Sequence, residues 1–108
     1  MNTPKPWVAV TQQINPNDFY VRVDDSDFYI AYWVVLSTSQ DSAHDLVMTV
    51  AEELLLGETS ILDVSQYQPG DNIHSEAVTQ RVQDLIAKLA NQEGAQIAAW
   101  ISEHGGLW

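Results

Sequence analysis

Cysteine is absent from this chain and basic residues are scarce: four Lys and Arg stand against 15 Asp and Glu in 108 residues, a formal net charge of -11. Without cysteine there are no disulfides, no thiolate nucleophile and no cysteine-ligated zinc. Four scattered basic residues cannot supply the counterion release that drives nucleic-acid binding, and the same charge repels anionic membrane surfaces. No apolar run approaches the length that spans a bilayer, and the short mixed run Trp7 to Val10 is too brief for a signal-peptide core. A soluble, cytoplasmic protein is therefore expected. Also missing are a Gly-x-Ser-x-Gly nucleophile elbow, a phosphate-cradling glycine loop and a dinucleotide fingerprint, so no enzymatic chemistry and no cofactor is expected.

What is present is the composition of a folding chain, with 45% hydrophobic and 18% charged residues. The length suits one domain, and residues 1–108 are read as a single α+β domain. Trp7 to Thr11 has the character of a strand, and Asn15, Pro16 and Asn17 of a turn. Phe19, Val21 and Val23 alternate with Tyr20 and Arg22, which predicts a second strand. After the turn-forming cluster Asp24, Asp25, Ser26 and Asp27, the run Phe28 to Leu36 is apolar on both of its faces, as in a central strand covered on both sides. Residues 19–36 are thus expected to form a hairpin.

A helix follows, with Ala43, Leu46, Val47, Val50, Ala51, Leu54 and Leu55 on one stripe. Ser39, Asp41 or Ser42 can cap its start, Ser42 and Asp45 have the spacing of a capping box, and Gly57 fits a C-terminal cap. Ser60 to Tyr67 alternates imperfectly but reads as a strand, and Pro69 and Gly70 as a turn. Ser75 can cap a second helix bearing Val78, Val82, Leu85, Ile86, Leu89 and Ala90 and ending near Gly94. In Ala95 to Ser102 the residues Ile97, Ala99 and Ile101 fit a strand, whereas Ile97, Trp100 and Ile101 fit a helical face. The glycines after His104 tip the reading towards a short helix. The expected architecture is a mainly antiparallel sheet of three to five strands with both amphipathic helices packed on one face. Trp33 and Trp100 are expected in its core, whereas Trp7 and Trp108 can either close the core or anchor a contact.

The charge is uneven. Residues 1–70 hold ten acids against Lys5 and Arg22, and residues 71–108 hold five against Arg81 and Lys88. On the second helix Asp84 can pair with Lys88 and Arg81. The first helix has no basic residue, and Asp41, Asp45, Glu52 and Glu53 fall opposite its apolar stripe. The Asp24 to Asp27 cluster does not fit a helix-loop-helix calcium site, because Ile30 and Leu36 occupy the glycine and glutamate positions counted from Asp25. His44, His74 and His104 lack the spacing of a helical metal pair, so no metal site is expected.

These observations favour a small acidic, non-enzymatic module for protein-protein interaction with a basic protein partner. An inhibitor, an immunity protein or a nucleic-acid mimic acting on such a partner would have this character. The candidate contact residues are Asp24, Asp25 and Asp27 on the turn and Asp41, Asp45, Glu52 and Glu53 on the helix. Two alternatives compete. One is a small ligand-binding or enzymatic α+β domain, forming a homodimer, with a pocket near Tyr32, Trp33 or His104. The other is an assembly subunit.

Overall fold

The computed structural model describes residues 4–14, 28–54, 58–89, 94–102 and 107. Their elements run β1 (Lys5–Ile14), β2 (Phe28–Ser37), α1 (Gln40–Glu53), β3 (Glu58–Gln66), α2 (Glu76–Leu89) and β4 (Gly94–Ser102). The four strands form one antiparallel sheet in the order β3-β1-β2-β4. This is an α+β structure with both helices packed against the sheet.

The double-sided apolar run of β2 dictates the layering. Tyr29, Ala31, Trp33 and Val35 share a core with Ala43, Val47 and Ala51 of α1. Val34 and its neighbour Tyr32 face the other way, towards Val78, Val82 and Leu85 of α2. The helices therefore cover opposite faces of the sheet, not one face as the sequence suggested. Packing both on one side would leave half of β2 in water, at roughly 25 cal/mol for each Å² of apolar area left uncovered.

Of the hairpin expected over residues 19–36, only the β2 part lies within the described residues. β2 pairs along its whole length with β1 and, from Tyr29 to Leu36, with β4. The alternating segment 19–23 and the turn after it lie outside the described residues, as do Gly57 and Trp108.

Residues 94–102 form a strand, not the short helix expected. A register shift explains the ambiguity: Tyr32 pairs with Ala99 but Trp33 with Ile97, leaving Ala98 as the extra residue of a bulge. Ile97 and Trp100, three apart, consequently join the same core on the α1 face, while Ala98, Ala99 and Ile101 join the α2 face. The bulge gives a strand the spacing of a helix. The same device explains the imperfect alternation of β3, where Val10 pairs with Asp63 and Thr11 with Ile61, so that Leu62 is extra and 55% exposed.

Helix ends follow their capping chemistry. Ser39 caps α1, its side chain accepting from the Ser42 amide at 3.1 Å, so the Ser42 and Asp45 box is not the one used. Ser75 caps α2, accepting from the Val78 amide at 3.2 Å. The described part of α2 runs to Leu89, and β4 opens at Gly94. Trp33 and Trp100 are buried as expected, and half-buried Trp7 closes the core edge by donating from Nε1 to the Ser37 carbonyl at 2.9 Å. Among the described residues no helix is long and apolar enough to cross a membrane.

Candidate functional site

α1 presents its acids because its other side is committed to the sheet. With Ala43, Val47 and Ala51 buried, Asp41, Asp45, Glu52 and Glu53 are all exposed. Asp41, Asp45 and Glu52 are four and seven residues apart and fall on one stripe, whereas Glu53 is turned from Glu52 by about 100°. Only the first three form a common face. Asp45 and Glu52 flank Met48, which is 37% exposed, and with Thr49 and Thr59 of β3 they line a broad open depression. The His44 imidazole lies 3.8 Å from Asp45, an exposed contact of small energetic weight. Asp24, Asp25 and Asp27 lie outside the described residues, as does His104.

On α2, Asp84 accepts from Gln80 Nε2 at 2.9 Å, one turn earlier. Among the described residues no group of three or more His, Asp or Glu converges as a metal site would require.

Beyond the α2 edge, on the sheet face opposite α1, is a second site, of whose lining the sequence pointed to Tyr32 alone. α2 lies over β2 and β4, and the segment 67–75 spans the rest of that face. Val8 and Val10 of β1 and Tyr32 of β2 lie beneath this segment, and with Tyr67, Ile73 and His74 they enclose a cleft of about 260 Å³. Asp63 and Asp71 stand at its rim. Trp33, a pocket candidate from the sequence, is sealed under α1 on the other face.

The segment 67–75 is held firmly. Gly70, at φ 94°, supports a turn closed by the Asp71 amide on the Gln68 carbonyl, and Asp71 accepts from the Gln68 amide at 2.9 Å. Thr79 on α2 accepts from the Ile73 amide and donates to the Ser75 carbonyl, both at 2.8 Å. Between these anchors the Ser75 amide bonds back to the Ile73 carbonyl, and His74 adopts φ 61°, a backbone conformation unfavourable for a side chain with Cβ. This turn sets the imidazole 5.5 Å from the Tyr32 ring.

Burial raises the Tyr32 pKa above the ordinary 10.0. A raised folded-state value means that the folded chain holds this proton more tightly than the unfolded chain. The resulting stability is complete below pH 10 and is lost as pH rises through the folded value. Urea titrations are expected to show stability falling above pH 10, with a smaller fall in Tyr32→Phe. Superimposable pH profiles for the two proteins would contradict this role of the phenol.

Compared with known proteins, the chain matches no family model, no curated protein and no solved structure at a significant level.

Proposed function

We propose that this chain is a non-enzymatic binding protein whose α1 face engages a basic site on another protein. The observation that carries this reading is the stripe of Asp41, Asp45 and Glu52 around exposed Met48, on a helix without Lys or Arg. Carboxylates at helical spacing attract and orient a basic surface, and a thioether among them supplies a deformable apolar contact. Inhibition of a basic enzyme, protection against a toxic nuclease, or occupation of a nucleic-acid site would each use such a face. The overall charge of -11 accelerates encounter with such partners.

The test begins with recovery of the partner from the native host at low and moderate salt. With the partner in hand, the triple replacement Asp41→Asn, Asp45→Asn and Glu52→Gln is expected to slow association about tenfold and to flatten its salt dependence. Glu53→Gln, off the stripe, should have a smaller effect. Association indifferent to both salt and the triple replacement would exclude this face as the contact.

A further inference from the structure

We propose that the cleft beneath segment 67–75 is a binding site for a compact organic ammonium group. The proposal is independent of the α1 face, which lies on the other side of the sheet. Its basis is the pairing of aromatic walls with carboxylates at the rim. Tyr32 and Tyr67, both half-buried, and the exposed His74 ring border a cavity floored by Val8 and Val10. Electron-rich ring faces attract an alkylated cation, and attract it more strongly where water is excluded. Asp63 and Asp71 supply the charge. Among the described residues their side chains meet only neutral donors, the Ser65 hydroxyl at 3.1 Å and the Gln68 amide at 2.9 Å.

Three further features narrow the ligand class. At about 260 Å³ the cleft is small for a drug-sized molecule but sufficient for a head group. Its two carboxylates oppose any anion, and the net charge of -11 concentrates cations at the surface. The unfavourable φ of His74 is maintained by the Thr79 bonds on one side and the Pro69-Gly70 turn on the other. Such strain persists only where surrounding structure enforces it. Here its product is a third ring at the mouth of the cleft. The bulge at Leu62 contributes as well. By shifting the phase of β3 it lets Ile61 join the α1-side core while Asp63 lines the cleft on the opposite face.

The ammonium group has two possible sources, a free alkylamine or a lysine side chain of a protein, and both present the same chemistry to the cleft. Titration with tetramethylammonium chloride, followed by aromatic proton-carbon NMR, is expected to give saturable shifts at Tyr32, Tyr67 and His74. tert-Butanol, similar in shape but uncharged, should not reproduce them at equal concentration. Asp63→Asn combined with Asp71→Asn should weaken tetramethylammonium binding about tenfold, and His74→Gly, which accepts the same φ without strain, about threefold. All these replaced residues are exposed, and backbone amide spectra would verify that the variants keep the fold. n-Butylammonium binding as tightly as a single-lysine peptide assigns the site to free amines; a peptide more than about tenfold tighter, lost on lysine acetylation, assigns it to a protein side chain. The proposal is overturned by equal shifts with tert-butanol, by unchanged affinity in the double Asn variant, or by no saturable shift up to about 50 mM.

Discussion

Trp33→Ala is expected to destabilise the fold by about 3–5 kcal/mol, measured as a fall in the urea midpoint at unchanged slope. Trp33 is fully buried at the centre of β2, between Ala9 of β1 and Ile97 of β4 in the pairing register, beneath α1. The residues above it on the helix, Ala43, Val47 and Ala51, are small and cannot reach down to fill the space. The loss therefore combines lost burial with a cavity that relaxes poorly. A chain of this size has a total stability of about 5–15 kcal/mol, so the variant should be partly unfolded at moderate temperature. A change below about 1 kcal/mol would mean that the site collapses around the gap, and that Trp33 is not the keystone of this layer.

A second large effect is expected from a smaller change. Thr11 is fully buried and accepts from Trp33 Nε1 at 2.8 Å while donating to Gln13 Oε1. Gln13, also fully buried, continues the chain of bonds to the Thr59 hydroxyl. Thr11→Val keeps the shape of the side chain but strands the indole N–H and the amide oxygen in the interior. Each such orphan costs about 1–3 kcal/mol, giving an expected loss of about 2–6 kcal/mol for the two. Trp33→Phe removes one of the orphaned groups. In a double-mutant cycle, Thr11→Val is therefore expected to cost less in the Trp33→Phe background than in the native chain. Strict additivity of the two replacements would show that the indole bond carries no net stability.

This polar network also bears on specificity of pairing. It ties β1, β2 and β3 together at side chains that have no equivalents one residue along, and a one-residue slip would turn them to the other face. Thr11 and Gln13 are ordinary surface residues by type, and nothing in their local sequence marks them as buried. Only the closing of β3 and α1 over β1 removes them from water.

Much of the local structure is legible in residue pattern. The stripe of α1, the stripe of α2, the serine caps and the Pro69-Gly70 turn all follow from chemistry within a few residues. So does the central position of β2, whose two apolar faces require two covering layers. That same observation contradicts the expectation of both helices on one face. β2 carried the information, and the placement of the helices had to satisfy it.

The misread segment, β4, and the imperfect alternation of β3, correctly read as a strand, share a cause. At Ala98 and at Leu62 a single extra residue shifts the phase of an edge strand, so inward-facing residues become three apart instead of two. A bulge of this kind imitates helical spacing in β4 and blurs alternation in β3. Its position is set by the partner strand, which sequence periodicity does not report.

The candidate sites divide in the same way. The stripe of Asp41, Asp45 and Glu52 was readable because all three residues sit on one helix, where spacing fixes direction. Of the cleft only Tyr32 was named from the sequence, because Asp63, Tyr67, Asp71 and His74 join it from another strand and a connecting segment. The φ of His74 has no sequence signal at all, being imposed by anchors on either side. By itself, the sequence determined the acidity, the main apolar stripes and the identity of the central strand, all properties of neighbouring residues. The tertiary structure decided which face each helix covers, where the strands slip phase and which distant side chains enclose a cavity, because those depend on contacts between segments remote along the chain.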